Sequence, residues 1–249
     1  MRKYRNAASD YEYGAMLGEN LNFAASEAYK LLRTNLDFAL SDEQKCRIIG
    51  ITSSMRGEGK STTTLNLAYS IAEAGKLVLV IEADMRLPTY TKRLNIQTKK
   101  GISNLLAGQC TGADVLSRCE LHKNMWVIPA GDIPPNPSEL LGSEQMRITL
   151  DVLSRDFDYI LLDLPPVTAV SDPLVVSKLM NGMLLVVRQN YATRRSVAET
   201  VRHLHFAEAK ILGFVMTNAA LEGKKKYYKN YNYGYGYGYG EKKKTGKEK

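Results

Sequence analysis

The sequence predicts an α/β fold in which a mostly parallel sheet carries helices on both faces. Two observations support this prediction. Apolar runs with the length of buried strands recur along the chain, and helical segments separate most of them. Strands that are apolar throughout and alternate with helices are typical of parallel sheets enclosed between two helical layers.

The predicted elements follow one another in a regular order. A helix over residues 26–40 presents an apolar face formed by Leu31, Leu32, Leu36 and Ala39. Six strands are then predicted over 47–52, 77–83, 125–129, 159–164, 183–188 and 211–217. The clearest helices between them cover 61–74, 143–155 and 196–207.

Composition divides the chain into three predicted parts. Residues 1–23 are polar and form a flexible N-terminal arm, and residues 24–223 form the globular domain. Residues 224–249 hold nine lysines, two glutamates and almost no aliphatic side chain, so they carry +7 of the net charge of +8. A segment of this kind cannot bury a core, and we expect a disordered Lys/Tyr/Gly-rich tail.

Several classes of protein are disfavoured by composition. No run approaches the roughly 18 apolar residues that span a bilayer, and the N-terminus has no secretory apolar core. Three cysteines without CxxC spacing are typical of reduced thiols in a cytosolic protein. Because the globular part is nearly neutral, we expect no nucleic-acid partner.

A phosphate-binding motif follows the first strand. The segment SMRGEGKS over residues 54–61 has Walker A spacing, with Ser54 where the first glycine usually stands. Gly57 and Gly59 allow backbone N–H groups to close around phosphates, while Lys60 reaches the β- and γ-phosphate oxygens and the Ser61 hydroxyl binds Mg²⁺. This P-loop (residues 54–61) predicts an NTPase fold that binds ATP. The predicted nucleotide-binding residues are Ser54, Arg56, Gly57, Glu58, Gly59, Lys60, Ser61, Thr62 and Asn218.

Acidic residues end two further strands. The second strand runs into Glu82, Asp84 and Arg86, and the strand ILLD ends in Asp163. Ligand sites of α/β proteins gather at such strand ends, and an aspartate there fits the Walker B role of holding the metal. The predicted magnesium ligands are Ser61, Glu82, Asp84 and Asp163.

Together these motifs resemble the bacterial tyrosine kinases of capsule and exopolysaccharide synthesis, in the Firmicute type whose membrane subunit is a separate protein. The resemblance covers residues 24–240. Its elements are the Walker A segment SSMRGEGKST, a Walker A′ segment VLVIEADMR, a Walker B segment ILLDLPP, the segment PPNPSELL, the helix motif EAYKLLR and a C-terminal tyrosine cluster.

The resemblance implies phosphoryl transfer from ATP to tyrosine hydroxyls. Lys60, Asp84, Arg86 and Asp163 are then the catalytic candidates, with Asp84 accepting the tyrosine proton. For Arg86 two roles are equally open: it stabilises charge on the phosphates, or it pairs with Glu82 or Asp84. The chain lacks the HRD and DFG motifs of eukaryotic-type kinases. By similarity to related P-loop ATPases, we expect adenine to be read at the end of the last strand, by either Thr217 or Asn218.

Two positions depart from the family pattern. Glu82 replaces the first Walker A′ aspartate and is one methylene longer. In the helix motif that builds the family's ring-shaped oligomer, Glu27 and Arg33 are kept, but Lys30 stands in place of an arginine, which keeps the charge and loses the bidentate fork. We expect Glu27, Lys30 and Arg33 to contact a neighbouring subunit.

The tail supplies the predicted substrate. Its seven tyrosines are expected to be autophosphorylated in trans, and the added charge would act as a switch for ring assembly or membrane docking. Interleaved lysine and tyrosine also suit single-stranded RNA or anionic lipid, which we weigh below the substrate role. The predicted sites are Tyr227, Tyr228, Tyr231, Tyr233, Tyr235, Tyr237 and Tyr239.

The resemblance also implies partners and a location. Expected partners are a separate transmembrane activator, which is the polysaccharide co-polymerase subunit, and a cognate tyrosine phosphatase. We expect a cytoplasmic kinase recruited to the inner face of the plasma membrane. The main alternative is an ATPase switch of the chromosome-partitioning or septum-placement type. Its P-loop reads KGGxGK[ST], whereas this chain has Met55 and Arg56 around the signature lysine position. A scaffold with a degenerate site is a third possibility.

Overall fold

Seven strands form one sheet in the order β3-β4-β2-β5-β1-β6-β7. The computed structural model describes residues 17–40 and 45–219. The strands are β1 (Arg47–Ser53), β2 (Val78–Glu82), β3 (Ser117–Arg118), β4 (Met125–Ile128), β5 (Tyr159–Asp163), β6 (Gly182–Arg188) and β7 (Ile211–Thr217). All neighbouring strands are parallel except the β3–β4 pair, so the predicted α/β fold with a mostly parallel sheet is confirmed.

Nine α-helices lie along the described residues. They are α1 (Phe23–Ala39), α2 (Lys60–Glu73), α3 (Tyr90–Arg93), α4 (Ile102–Leu106), α5 (Gly112–Val115), α6 (Pro137–Leu141), α7 (Glu144–Leu153), α8 (Asp172–Val176) and α9 (Arg194–Phe206). None of the helices that these residues form has the length and apolar character needed to cross a bilayer.

Helix starts are set by polar caps. The Asn22 side chain accepts a hydrogen bond from the Ala25 N–H at 2.9 Å, so α1 begins at Phe23 and not at the predicted residue 26. Ser143 and Thr193 cap α7 and α9 in the same way. The two-residue strand β3 and the short helices α3 to α6 and α8 were not predicted, because elements of two to five residues show no periodicity.

The core lies on both faces of the sheet. Every residue of the central strands β2 and β5 is buried. Alternate side chains join two apolar clusters, one containing Ile81 and Leu162 and the other containing Val80 and Leu161. This two-sided burial explains why these strands are apolar throughout.

Some predicted features fall outside the described residues. A compact unit ends at Thr217. The tail over 224–249 with its seven tyrosines, the boundary at 223 and most of the N-terminal arm lie outside the described ranges. The three-part division of the chain therefore stays a prediction.

Candidate active site

The P-loop connects the end of β1 to the first residue of α2. Gly57 and Gly59 have φ of +85° and +94°, a region that side-chain-bearing residues rarely adopt. Lys60 begins α2 and is 7% exposed, so the helix N-terminus and a buried ammonium group lie together. The local geometry is the one that the Walker A spacing predicts, with backbone N–H groups at a positive helix end.

Glu58 is fully buried within this loop. Its carboxylate accepts hydrogen bonds from the Met55 N–H at 2.7 Å and from the Arg188 N–H at 3.4 Å. The side chain therefore ties the loop to itself and to the end of β6. Glu58 is one of the predicted nucleotide-binding residues. Because its carboxylate is engaged within the protein, it could contact phosphate through its backbone N–H alone.

Two carboxylates lie near Lys60. Asp163 ends β5, which is hydrogen-bonded to both β1 and β2, and Asp84 follows β2. Burial raises the pKa of both carboxyl groups, and the positive charge of Lys60 opposes the rise in each case. Among the described residues, Oδ1 of Asp84 and Oδ1 of Asp163 are buried without a hydrogen-bond partner. A buried carboxylate oxygen without a partner is costly, so both oxygens are available to a cation or a donor that binds there.

Glu82 lies beside Asp163 in the sheet but is used differently. Its Oε1 accepts hydrogen bonds from the Thr89 and Tyr90 N–H groups, the second at 2.8 Å, and its Oε2 accepts one from Ala130 at 3.1 Å. Burial raises the pKa of this carboxyl, and the three N–H donors oppose the rise. Because both oxygens are engaged by backbone, the geometry argues against the magnesium role predicted for Glu82.

Arg86 has a partner that the sequence did not predict. Its guanidinium makes two hydrogen bonds to Asp172, from Nε at 3.0 Å and from Nη2 at 2.9 Å. Asp172 is fully buried at the start of α8 and also accepts from the Ser138 hydroxyl. Pairing with Glu82 or Asp84 was one of the two roles left open for Arg86, and the structure shows a different partner, since the fork of Arg86 is taken by a residue 86 positions away.

Tyr90 is a residue near the site that sequence reasoning missed. Its ring is fully buried, and its hydroxyl has no hydrogen bond of good geometry within the described residues. Burial raises its pKa far above the ordinary value, and the charges of Asp163 and Glu82 add to the rise. No local motif marks a tyrosine eight residues beyond Glu82, so the sequence offered no signal for it.

The remaining predicted residues are distributed around the loop. The Thr62 hydroxyl accepts a hydrogen bond from Arg93 at 3.1 Å, and Ser61 lies close enough to lower the pKa of Asp163. Arg56 is exposed, whereas Ser54 is buried. Asn218 directly follows β7, is exposed and has φ of +52°.

The three predicted interface residues do not share one free surface. Glu27 and Lys30 form an ion pair at 2.9 Å within α1. Arg33 instead donates to the carbonyl of Ser70 and, at 3.3 Å, to its hydroxyl, so it joins α1 to α2. The expectation that Arg33 is directed to a neighbouring subunit does not match this geometry.

No group of three or more His, Cys, Asp or Glu side chains within residues 17–40 and 45–219 converges as a metal site. Magnesium is usually held by one or two carboxylates together with phosphate oxygens and water.

The comparisons with known proteins agree with this geometry. The family described as "AAA domain" matches residues 46–210. Tyrosine-protein kinase YwqD of Bacillus subtilis is 34% identical over 202 residues, which cover 81% of this chain and 84% of the relative. The kinase domain of the Escherichia coli tyrosine kinase ETK superposes with a TM-score of 0.76 at 31% identity, covering 91% of this chain and 84% of that one.

A second solved structure gives the same result. The chimerical protein CapA2B2 has a TM-score of 0.74 and 33% identity, covering 80% of this chain and 86% of that chain. The P-loop fold and the tyrosine kinase activity predicted from the sequence are thereby confirmed. With its P-loop, its Walker B aspartate and relatives above 30% identity across four fifths of its length, this chain belongs to the bacterial tyrosine-protein kinases.

Proposed function

We propose that this kinase transfers the γ-phosphoryl group of ATP to tyrosine hydroxyls of its own C-terminal cluster, as part of capsule or exopolysaccharide synthesis. The observation that carries the proposal is the grouping of one buried lysine with two carboxylates at the carboxyl end of the sheet. Lys60 affects the pKa of both Asp84 and Asp163, and each aspartate keeps one oxygen without a partner.

The residues present fit ATP and Mg²⁺. The P-loop has two glycines in left-handed conformations, so its backbone can approach phosphates closely. Ser61 and Asp163 would hold Mg²⁺ through a hydroxyl and a carboxylate oxygen, directly or through water, which is a donor set of the kind this ion prefers. Bound Mg²⁺ would neutralise charge on the phosphates during transfer.

Lys60 and Asp84 divide the remaining work. The Lys60 ammonium would contact the β- and γ-phosphate oxygens and stabilise the charge that develops on them. Asp84 would accept the phenol proton as the tyrosine oxygen bonds to phosphorus and the bond to ADP breaks. Burial raises the pKa of Asp84, which makes it a stronger base than an exposed aspartate.

Arg86 takes a supporting place in this proposal. Two of its guanidinium nitrogens, Nε and Nη2, are engaged by Asp172. The pair joins the segment after β2, which holds Asp84, to the start of α8. We therefore assign Arg86 to holding that segment and not to charge stabilisation.

The direct test is to incubate the purified full chain with ATP and Mg²⁺ and to map phosphotyrosine by mass spectrometry. Phosphate is expected on the cluster between Tyr227 and Tyr239. The matched control changes the seven cluster tyrosines to phenylalanine and leaves the P-loop intact. ATP binding without phosphotyrosine in the wild-type chain, with or without an activator peptide, would contradict the proposal.

The proposed partners follow from the family. We propose a ring of identical subunits, a separate transmembrane activator and a cognate tyrosine phosphatase, with recruitment of the chain to the inner face of the plasma membrane. A juxtamembrane peptide of the activator is expected to accelerate a slow basal reaction. Full activity that no such peptide changes would count against the activator.

The proposed ring of identical subunits can be tested separately, by substituting residues of α1. Glu27→Ala with Lys30→Ala removes an exposed ion pair within α1, while Arg33→Ala removes the link to Ser70. The triple variant is expected to be monomeric by light scattering and to phosphorylate its tail in a concentration-dependent way. Arg33→Ala alone serves as the control for lost α1–α2 packing. A monomer whose tail phosphorylation does not change on dilution would exclude the trans reaction.

A further inference from the structure

Side chains that lie outside the P-loop hold it by hydrogen bonds to its backbone carbonyl groups. Five consecutive carbonyl oxygens, those of residues 54–58, each accept a hydrogen bond from a side chain. One donor, Ser53, immediately precedes the loop and reaches the Met55 carbonyl at 2.7 Å. The other four donors are distant in sequence.

These four donors come from three separate segments. The Thr168 hydroxyl, just beyond β5, donates to the Ser54 carbonyl. The Tyr191 hydroxyl donates to Arg56 at 3.0 Å, and Arg188 Nη1 donates to Gly57 at 3.2 Å. The hydroxyl of Thr217, the last residue of β7, donates to the Glu58 carbonyl at 2.7 Å.

Two of the donors also support each other. The Arg188 guanidinium lies over the Tyr191 ring, 5.3 Å from its centroid. A stacked guanidinium loses less freedom when it makes a hydrogen bond, since its plane is already oriented. Thr217 is close to the loop through its methyl group as well, because a Cβ placed on Gly59 would lie 3.4 Å from Thr217 Cγ2.

Peptide planarity converts these bonds into an orientation of the N–H groups. In a trans peptide the C=O of one residue and the N–H of the next lie in one plane and point in opposite directions. Anchoring the carbonyls of residues 56–58 therefore turns the N–H groups of residues 57–59 to the other side of the loop. Phosphate binding by a P-loop uses these N–H groups. The Thr168 bond fixes the start of the loop instead, where the Met55 N–H donates to the Glu58 carboxylate.

We propose that Thr168, Arg188, Tyr191 and Thr217 are positioning residues that preorganise the P-loop for the phosphates of ATP. This inference rests on the proposed function only in taking ATP as the ligand. A loop with two glycines at positive φ has many conformations, and a ligand that must order it binds more weakly. The four side chains meet this ordering cost before the nucleotide arrives.

The assignment also gives the Thr217 hydroxyl a use. Of the two residues that the sequence offered for reading adenine, Thr217 has its hydroxyl bonded to the P-loop backbone. Thr217 would then contribute to nucleotide binding by orienting the backbone that contacts the phosphates. Valine at this position keeps the shape and loses the bond.

The test measures nucleotide affinity directly in the full-length protein. Tyr191→Phe, Thr168→Val and Thr217→Val each remove one hydroxyl and leave the carbon framework nearly unchanged. Each is expected to weaken ATP and ADP binding, measured by calorimetry, by roughly 3- to 10-fold, as the loss of one hydrogen bond implies. The affinity for adenosine, which has no phosphates and is measured by competition with a bound nucleotide, is expected to be the same in the variants as in the wild-type protein. Thr168→Ser and Thr217→Ser, which keep the hydroxyl, are expected to restore ATP affinity.

Matched controls separate positioning from general stability. Thr200→Val removes a hydroxyl bonded to the Ser196 carbonyl in α9, and Tyr69→Phe removes a hydroxyl from α2 where the ring packs on His122. Both controls are expected to bind ATP like wild type. Melting temperatures report whether a variant folds. The inference would be overturned if all three test variants bound ATP as tightly as wild type. It would also be overturned if the controls lost as much ATP affinity as the test variants, or if the serine variants did not restore it.

The outcome is separable from that of the proposed function. If ATP affinity falls as expected but the wild-type chain never phosphorylates tyrosine, the positioning role holds and the kinase proposal fails. If tyrosine is phosphorylated and the variants bind ATP like wild type, the reverse is true.

Discussion

The P-loop and the carboxylate edge, which consists of Glu82, Asp84 and Asp163, occupy the same end of the sheet and are held in different ways. The P-loop is fixed through its backbone carbonyls by side chains from β6 and the residues just after it, from β7 and from the segment after β5. The carboxylate edge has one member bound by three backbone N–H groups and two members with unpartnered oxygens.

This difference separates residues that look alike in the sequence. Glu82 and Asp163 both end apolar strands, and they lie side by side in the sheet. Glu82 acts as a structural acceptor for the turns that follow β2 and β4, while Asp163 keeps an oxygen for a ligand. An acidic strand end therefore becomes functional only where the surrounding backbone leaves its oxygens free.

The largest effect is expected at the junction of the two regions. Lys60→Met removes the buried ammonium that lies between the P-loop and the two aspartates. Tyrosine phosphorylation should fall on the order of 10³-fold, because a charge that stabilises the transferring phosphoryl group is lost. Phosphotyrosine blotting gives the rate, and circular dichroism checks the fold. Wild-type phosphotyrosine in a folded Lys60→Met protein would contradict the assigned site.

A pair of matched substitutions tests the division within the carboxylate edge. Asp163→Asn should lower activity on the order of 10²-fold and raise the Mg²⁺ concentration needed, because a metal ligand is weakened. Glu82→Gln should change activity far less and lower the free energy of unfolding by about 1–3 kcal/mol, since its amide N–H₂ would oppose a backbone N–H. Magnesium titrations and denaturant unfolding measure the two effects. The same Mg²⁺ dependence in both variants would contradict the distinction drawn between Asp163 and Glu82.

The Arg86–Asp172 pair offers a smaller test of the same edge. Arg86→Ala leaves a fully buried carboxylate with the Ser138 hydroxyl as its remaining described side-chain partner. The expected loss of stability is about 1.5–3 kcal/mol, the range for a hydrogen bond to a charged group. A double-mutant cycle with Asp172→Ala measures the coupling by urea unfolding. Additive effects of the two changes would show that the pair is not coupled.

The smallest expected effect concerns stability and pH without nucleotide. Burial raises the pKa of Asp163, so the folded state holds a proton more tightly than the unfolded state. The contribution of this carboxyl to the free energy of unfolding is therefore most favourable below its pKa in the unfolded state, near 4. That contribution is lost as pH rises through its pKa in the folded state. Asp163→Asn should melt at a higher temperature than wild type at neutral pH, and the difference should shrink as pH falls. A melting temperature below that of wild type at neutral pH would contradict this sign.

Much of the fold was readable from local pattern. The six predicted strands and the longer helices are present, with ends shifted by one to three residues where caps such as Asn22 set the start. The spacing of the P-loop glycines and Lys60 also predicted the strand–loop–helix geometry that the structure shows. These signals lie within a few residues of one another, so no tertiary information is needed to read them.

The partners of individual side chains were decided only by tertiary structure. Arg86 pairs with Asp172, Arg33 with Ser70 and the Glu58 carbonyl with Thr217, and each pair joins segments far apart in the chain. By itself the sequence determined the α/β fold, the position of the P-loop and the kinase family, because each depends on short-range spacing. Which carboxylates stay free, and which side chains hold the loop, depended on how the strand ends are brought together, because a hydrogen-bond partner is set by distance in space and not by distance along the chain.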